Sequence, residues 1–273
     1  MNAPSVTRPT APVTPADVEQ AYGAEHADVY DAIYRGRGRD YAAEADAFLA
    51  VLRTRRPEVT SLLDVACGTG AHLAALRASV DHVEGVELSP WMHTLATRQL
   101  PGVAVHQDDM RSFNLSRRFS AVTCLFSSVG YLKTVEDLRR TLRTFRAHTA
   151  PGGVALVEPW WFPETFLDGY VGSSLVEVDG RTIARVSHTV RAGNTSRMTV
   201  EYTVAEPVNG VRRFSDLHVL TLFTREQYEE AFEQAGFAVE FLKDGPSGRG
   251  LFLGVAPAKT DEKAHGTTDG GRR

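Results

Sequence analysis

SLLDVACGTG occupies residues 61–70 and joins a strand-like run to a glycine turn. The leucine- and valine-rich half is typical of a buried strand, and a helical pattern begins near Ala71. Gly68 and Gly70 stand in the turn, where small residues let the backbone approach a ligand closely. The segment therefore predicts a ligand site at the carboxyl end of a strand, beside a helix N-terminus that favours a negative group.

Strands and helices alternate on the C-terminal side of this turn. Helical stretches begin near Ala71, Pro90 and Val135, and strand-like runs cover HVEGVEL (82–88), VAVHQ (103–107), FSAVTCLF (119–126) and GGVALVEP (152–159). Such alternation is typical of a parallel sheet with right-handed crossover connections. We therefore predict an α/β protein with a doubly wound, Rossmann-like sheet.

A different pattern covers residues 173–223. Asp-Gly at 179–180 and Asn-Gly at 209–210 are typical hairpin turns. Met198, Val200 and Tyr202 alternate with polar residues, which indicates a strand with one covered and one wet face. We predict an antiparallel β insertion over the α/β domain, after which a helix at 225–235 and strands at 238–242 and 250–256 return the chain to the first sheet.

The bulk composition narrows the possible partners. A net charge of −4 and a pI near 6.1 give no reason to expect nucleic acid or an anionic membrane. No apolar run approaches the roughly 20 residues that span a bilayer, and residues 1–15 lack a signal-peptide pattern. Cys67 and Cys124 lie in apolar segments, which favours free buried thiols and a reducing compartment. We expect a cytoplasmic protein.

Two acidic residues extend the prediction for the glycine turn. Glu87 closes the second strand, where a carboxylate can accept hydrogen bonds from both hydroxyls of a ribose, and Asp109 follows the third strand, where it can meet an adenine amino group. A dinucleotide site needs a third glycine for the pyrophosphate, but Leu73 occupies that position. The pattern favours an adenosyl cofactor without phosphates. The alternative is an ordinary tight turn near unrelated acids.

Six segments carry a family resemblance: YRGRGRDY (34–41), LLDVACGTG (62–70), FSSVGYLK (126–133), EPWWFPETF (158–166), RVSHTVR (185–191) and GPSGRGLF (245–252). With them the chain resembles class I S-adenosyl-L-methionine-dependent methyltransferases. It is most similar to the N-methyltransferases that dimethylate nucleotide-linked amino deoxysugars of the desosamine and mycaminose type. The resemblance extends over residues 22–255. It implies S-adenosyl-L-methionine as cofactor and S-adenosyl-L-homocysteine as product.

The resemblance also implies which residues hold the cofactor. The expected contacts are Tyr30 and the Ala66 backbone for the methionine part, Glu87 for the ribose, Asp109 and Met110 around the adenine, and Leu125 beneath it, beside Gly68 and Gly70 of the turn. The adjacent acids Asp108 and Asp109 could suggest a metal site, but no histidine is suitably spaced. We predict no metal.

The substrate implied by the resemblance is a thymidine diphosphate (dTDP) 3-amino-deoxyhexose, mono- and then dimethylated in the biosynthesis of macrolide-type antibiotic sugars. Arginine neutralises a diphosphate with a forked donor. The expected substrate contacts are Tyr22, Tyr41, Trp160, Trp161 and Phe162, with Arg249 first and Arg185 and Ser187 second for the diphosphate. The alternatives are a solvated position for Arg185 and core packing for the two tryptophans.

Tyr22 and Tyr131 are the expected catalytic residues. A sugar amine is largely protonated at neutral pH and must lose a proton before it attacks a methyl group. Tyrosine is a poor base at its usual pKa of roughly 10, so we expect both hydroxyls to orient the amine rather than deprotonate it. Alternative functions are N-methylation of a 4-amino sugar, O-methylation of a sugar or polyketide hydroxyl, and cofactor binding without catalysis.

We predict four regions along the chain. A disordered lead covers 1–16, the cofactor-binding methyltransferase domain covers 17–172 and 224–257, the antiparallel insertion covers 173–223, and a disordered tail covers 258–273. The resemblance further suggests a homodimer that associates through the insertion.

Overall fold

The computed structural model describes residues 22–258, so the predicted lead and nearly all of the predicted tail lie outside the described residues. Within this range two helices, α1 (Ala24–Gly36) and α2 (Tyr41–Arg53), precede the first strand. The alternating part contains β1 (Ser61–Val65), α3 (Ala71–Leu76), β2 (His82–Glu87), α4 (Pro90–Gln99), β3 (Ala104–Gln107), β4 (Phe119–Cys124), α5 (Val135–His148) and β5 (Thr149–Val157). The remaining elements are β6 (Tyr170–Val178), β7 (Arg181–Ala192), β8 (Thr195–Glu206), β9 (Gly210–Thr221), α6 (Arg225–Gln234), β10 (Ala238–Leu242) and β11 (Leu251–Val255).

Seven strands form the main sheet in the order β10-β11-β5-β4-β1-β2-β3. Strands β1 to β5 pair in parallel, whereas β11 is antiparallel to both of its neighbours. The interior strand β1 is covered on both faces, with Leu63 in one core cluster with residues of α5 and α6 and Leu62 in another with residues of α2 and α3. The chain leaves β1 towards β2 and crosses to β4 on the other side, which opens a crevice beyond their carboxyl ends. The predicted doubly wound α/β sheet is confirmed.

Four antiparallel strands form a second sheet in the order β6-β7-β8-β9. Asp179 (φ +52°) and Gly180 (φ +73°) turn the chain between β6 and β7, as the Asp-Gly pair predicts. One face of this sheet, which we call the inner face, packs Ile183 and Val200 against Val29 of α1. The predicted antiparallel insertion is confirmed, and its inner face meets the N-terminal helix beside the main sheet.

Local signals in the sequence set several element boundaries. Ser89 Oγ accepts a hydrogen bond from the Met92 N–H group at 3.4 Å, with Pro90 in the first turn of α4. Thr224 and Gln227 form a reciprocal capping box at the start of α6. Both cysteines are buried free thiols, as predicted. None of the helices within residues 22–258 is long and apolar enough to span a bilayer.

Candidate active site

The turn after β1 has a left-handed backbone at Ala66 (φ +59°), Gly68 (φ +59°) and Gly70 (φ +81°). Gly70 is pressed against the end of α4, where a Cβ atom would lie 2.5 Å from Leu100 Cδ1. Ala66 lacks the freedom of glycine, and a left-handed conformation costs such a residue about 1 kcal/mol. The turn holds this shape and directs the Gly68 N–H group at Glu87 on β2.

Glu87 is a buried carboxylate whose two oxygens face different backbone donors. The Gly68 N–H group donates to Oε2 and the Ser89 N–H group donates to Oε1, each at 2.8 Å. Burial raises the pKa of Glu87, and these backbone donors offset part of that rise. The hydroxyls of a ribose would add two donors and favour the ionised carboxylate further, as expected for a ribose-binding acid.

A cavity of about 620 Å³ opens at the carboxyl ends of the parallel strands, and we call it the first cavity. No Lys or Arg stands among its described lining residues, whereas Asp64 and Glu87 both line it. Tyr41 also lines it, and its buried hydroxyl has no hydrogen-bond partner among the described residues. The predicted cofactor contacts that line the cavity are Tyr30, Ala66, Gly68, Glu87, Met110 and Leu125.

Two predicted cofactor residues do not line the first cavity. Gly70 supports the turn from behind, through its close approach to Leu100. The Asp109 carboxylate is turned towards Arg111, whose Nη2 donates to Oδ2 at 2.6 Å. Burial alone would raise the pKa of Asp109, but the Arg111 guanidinium outweighs it and holds this pKa below its usual range. Its neighbour Met110, and not the Asp109 side chain, reaches the cavity.

Asp64 lines the first cavity although it was not among the predicted site residues. Its Oδ1 accepts a hydrogen bond from Thr123 Oγ1 at 2.7 Å. Burial raises the pKa of Asp64 to about 6, while His72 and the Thr123 hydroxyl act in the opposite direction. The available signal was its position, one residue before the end of β1, at the edge where ligands of doubly wound sheets bind.

The residues of the first cavity fit S-adenosyl-L-methionine. The described lining contains no Lys or Arg that would neutralise a diphosphate, whereas a sulfonium cation suits carboxylates and aromatic faces. Glu87 provides acceptors for ribose hydroxyls, and Met110 and Leu125 provide an apolar bed for adenine. The unpaired Tyr41 hydroxyl remains available to a polar group of the ligand.

A second cavity, of about 450 Å³, lies between α1 and the inner face of the antiparallel sheet. Its charge is opposite to that of the first, since the guanidinium groups of Arg37, Arg39, Arg185 and Arg249 line it. Arg39 is paired with Glu44, and Arg249 lies 3.6 Å from a Glu158 oxygen. The other two arginines have no ion-pair partner in the part of the chain that the structure describes.

Arg185 and Ser187 meet on the inner face, as two residues two positions apart on a strand must. Arg185 Nη1 donates to Ser187 Oγ at 3.1 Å, and its Nη2 approaches Met198 Sδ at 3.7 Å. Ser187 is buried, and both residues line the second cavity. A cation in such a position has unused donors for an anionic ligand.

The predicted aromatic substrate residues other than Tyr22 fall in several different places. Trp160 lines the second cavity and donates from Nε1 to Ser196 Oγ at 2.9 Å. Trp161 packs edge-on against Trp160 and lines neither cavity, and Tyr41 lines the first cavity. Phe162 is buried among the rings of the main core, so we do not propose it as a substrate contact.

The two cavities meet at Tyr22 and Tyr131, which line both together with Phe126. The hydroxyl oxygens of the two tyrosines are 2.9 Å apart. Burial raises the pKa of Tyr22 and of Tyr131 well above the usual range. Both phenols therefore keep their protons at neutral pH. The structure brings the two expected catalytic residues together between the first cavity, which carboxylates line, and the second cavity, which guanidinium groups line.

Three buried polar residues beside this junction were not predicted from the sequence. Tyr131 Oη lies 2.7 Å from His218 Nδ1, and His26 Nδ1 lies 2.7 Å from Asp216 Oδ2. Asp216 and His218 are two residues apart on β9, so they project from the same face. That spacing was the available signal, but the sequence does not reveal that α1 brings His26 to the same point.

Comparison with known proteins agrees with this geometry. A family profile described as "Methyltransferase domain" matches residues 36–241. The chain is 57% identical over 234 residues to dTDP-3-amino-3,4,6-trideoxy-alpha-D-glucopyranose N,N-dimethyltransferase from Streptomyces venezuelae, covering 86% of this chain and 99% of that protein. It is 50% identical over 240 residues to dTDP-4-amino-2,3,4,6-tetradeoxy-D-glucose N,N-dimethyltransferase from Saccharopolyspora spinosa, covering 88% and 96% of the two chains. The SAM-bound structure of CalS10, an amino pentose methyltransferase from Micromonospora echinaspora involved in calicheamicin biosynthesis, is similar with a TM-score of 0.78 and 48% identity, covering 83% of this chain and 96% of that one.

Proposed function

Because the chain belongs to the S-adenosylmethionine-dependent N-methyltransferases that dimethylate dTDP-linked amino deoxysugars, we propose that its own substrate is a dTDP-3-amino-deoxyhexose. The enzyme adds first one and then a second methyl group to the amine, for an antibiotic sugar of the macrolide type. The observation that carries this proposal is the junction of two oppositely charged cavities at Tyr22 and Tyr131.

The first cavity holds the cofactor. Bound S-adenosyl-L-methionine supplies an electrophilic methyl group on a sulfonium. Glu87 accepts hydrogen bonds from the ribose hydroxyls, while Met110 and Leu125 flank the adenine. Tyr30 and the Ala66 backbone contact the methionine part. The buried Asp64 carboxylate contributes negative potential to a site whose ligand is cationic.

The second cavity holds the nucleotide sugar. Its diphosphate binds to Arg185 and Arg249, which approach from β7 and from the loop before β11. Ser187 adds a hydroxyl, and Trp160 offers a ring to the base or the sugar. The aromatic position is supported by the Arg249 guanidinium, which lies 5.3 Å from the Trp160 ring centre and thereby orders both side chains.

The amine lies at the junction, where Tyr22 and Tyr131 orient it. Attack on a sulfonium methyl group is an in-line displacement, so correct placement of the nitrogen supplies much of the acceleration. The two phenols are too weakly acidic to act as phenolate bases at neutral pH. The amine proton therefore leaves to solvent or to a second amine, and the tyrosines hold the nitrogen by hydrogen bonds.

A 4-amino sugar is the second candidate, because the relative from Saccharopolyspora spinosa is named for one. The test is a turnover assay with dTDP-3-amino and dTDP-4-amino deoxyhexoses, with products weighed by mass spectrometry. Two successive methyl increments on the 3-amino sugar, at higher kcat/KM than on the 4-amino sugar, are expected. Preference for the 4-amino sugar would replace the proposal by the second candidate. Methylation of a hydroxyl alone would refute both.

The same proposal includes a cytoplasmic homodimer. The outer face of the antiparallel sheet is the one opposite the inner face. On it, Val171 and Leu175 of the edge strand β6 and Val186 of β7 are more than half exposed. Exposed apolar side chains clustered at a sheet edge are typical of an association surface. Light scattering is expected to give the mass of a dimer for the wild type, and a monomer for a variant with Leu175→Lys and Val186→Lys. A monomeric wild type would refute the dimer.

A further inference from the structure

We propose that His218 is a positioning residue. It accepts a hydrogen bond from the Tyr131 hydroxyl, so that the Tyr131 oxygen faces the substrate amine as an acceptor. This inference rests on the proposed function and adds to it the element that sets the direction of the hydrogen bonds at the junction. It concerns a residue of β9, far in sequence from the glycine turn.

The geometry places three polar groups in a row. Tyr131 ends a 3₁₀ turn at Ser128–Tyr131, and its oxygen lies 2.9 Å from the Tyr22 oxygen and 2.7 Å from His218 Nδ1. His218 is 4% exposed and lines the second cavity. Tyr22 and Tyr131 also line the first cavity, so the row runs from the first cavity to the wall of the second.

The surroundings of His218 keep its ring neutral. Burial lowers its pKa to about 3, and the neighbouring His26 and Arg185 act in the same direction. The titratable or charged groups around it are His26 on α1, Tyr131 in the 3₁₀ turn, Arg185 on β7, Tyr202 on β8, Asp216 on β9, and Tyr22. A neutral imidazole has one nitrogen without a hydrogen, and this nitrogen is an acceptor.

The direction of the bond follows from the chemistry of the pair. An imidazole nitrogen without a hydrogen is a better acceptor than a phenol oxygen, and a phenol is a good donor, so Tyr131 donates to Nδ1. The Tyr22 hydroxyl then donates to the Tyr131 oxygen. Each oxygen keeps a free lone pair that can face the junction of the two cavities.

This direction matters because the amine must keep its own lone pair for the attack. A hydroxyl hydrogen aimed at the nitrogen would occupy that lone pair, whereas an oxygen binds an N–H group and leaves the lone pair free. A primary amine offers two N–H groups to the two oxygens. After the first methylation one N–H group remains, so the second transfer depends more strongly on correctly directed acceptors.

The direct test is the protonation state of His218 in the wild type. In protein labelled with ¹⁵N-histidine, the two ring nitrogens of His218 are assigned at neutral pH by comparison with a His218→Asn variant. We expect Nε2 to carry the hydrogen and Nδ1 to be bare. A hydrogen on Nδ1 would overturn the inference. This measurement needs no substrate, so its outcome is independent of whether the proposed function is correct.

The kinetic test compares two replacements of His218. His218→Phe removes the acceptor and keeps a ring, and we expect kcat to fall about tenfold to a hundredfold while KM for the nucleotide sugar changes little. The monomethylated product should accumulate. His218→Asn places an amide oxygen near the position of Nδ1 and should restore much of the dimethylation. Equal activity of the two variants would contradict the inference.

Two controls separate positioning from folding. His82→Phe, at an exposed position at the start of β2, should leave turnover and product ratio unchanged. Added to Tyr131→Phe, the His218→Phe change should cause no further loss, because it acts through the Tyr131 hydroxyl. Additive losses in the double variant would overturn the inference. Wild-type enzyme that methylates neither amino sugar would refute the proposed function instead, and leave the nitrogen assignment readable.

Discussion

The two cavities differ in charge although they share a wall. The first contains carboxylates and no Lys or Arg among its described lining residues, whereas four guanidinium groups line the second. The only carboxylates paired with those guanidiniums in the described part of the chain belong to Glu44 and Glu158. The difference teaches how one enzyme sorts two nucleoside-containing ligands, since a cationic sulfonium and a diphosphate are attracted to opposite potentials.

The wall that the two cavities share carries no charge. Tyr22, Phe126 and Tyr131 carry no charge at neutral pH, because burial raises the pKa of both tyrosines. These three aromatic residues therefore add no charge between the carboxylates of the first cavity and the guanidinium groups of the second. Four predictions test this contrast, and three of them use the binding of the other ligand as an internal control.

The largest effect is expected at Glu87. Glu87→Ala removes the buried acceptor of two ribose hydroxyls, each charge-assisted bond contributing about 2 kcal/mol, so S-adenosylhomocysteine should bind roughly a thousandfold more weakly. Titration calorimetry measures this, and the affinity for dTDP should remain as in the wild type. A loss of dTDP affinity of the same size would mean that the two cavities are not separate binding units.

Asp64 should affect stability through pH. Its pKa rises from an ordinary value of 3.8 to about 6 on burial, so folding favours the protonated form. The wild type therefore loses stability as the pH rises from about 4 to just above 6, by at most roughly 3 kcal/mol, and then levels off. Asp64→Asn lacks this loss.

Thermal unfolding without ligand should give equal melting temperatures for Asp64→Asn and wild type near pH 4, and a higher melting temperature for the variant at pH 7.5. The same variant should bind dTDP normally. A difference that does not vary with pH would show that the Asp64 carboxylate is not protonated in the folded protein near pH 5.

Arg185 should affect only the second cavity. Arg185→Met removes a cation without an ion-pair partner in the described residues, and we expect KM for the nucleotide sugar to rise about thirtyfold, equivalent to about 2 kcal/mol. Affinity for S-adenosylhomocysteine should not change. Arg197→Met, on the opposite face of the same sheet, is the matched control. An equal effect of the two substitutions would mean that Arg185 acts only through the net charge of the protein and does not contact the diphosphate.

The smallest effect is expected at Trp160. Trp160→Phe loses the hydrogen bond to Ser196 and part of the ring beside Arg249, which should cost about 1 kcal/mol and raise KM a fewfold. Trp161→Phe, in a residue that lines neither cavity, should change KM less. A larger effect at Trp161 would mean that the Trp161 ring, and not the Trp160 ring, contacts the nucleotide sugar.

Much of the cofactor side was predictable because its residues lie near one another in sequence or follow a strand. The turn at 66–70 and Glu87 are placed by two adjacent parallel strands, and the order of such strands follows from the alternation of elements. The Asp109 side chain differs from its expectation, since Arg111 two residues later competes for it. A local salt bridge of this kind depends on side-chain rotamers that no pattern of residue types specifies.

The substrate side was harder to predict, because distant segments meet there. Trp160, Trp161 and Phe162 are consecutive, yet one lines the second cavity, one packs beside it and one enters the core. The chain has left β5 at this point, so strand alternation no longer assigns faces. Likewise, His26 comes from α1 and Asp216 from β9, and neither has a neighbour in sequence that signals the other.

The residues alone determined the class of sheet, the glycine turn with its ribose-binding acid, and the family, because short-range order and motif spacing encode all three. The packing of α1 against the inner face of the second sheet, and of β9 against the 3₁₀ turn at Ser128–Tyr131, decided the rest. Opposite potentials, a shared neutral wall and the contact of Tyr131 with His218 exist only where segments separated by about ninety residues come within hydrogen-bonding distance.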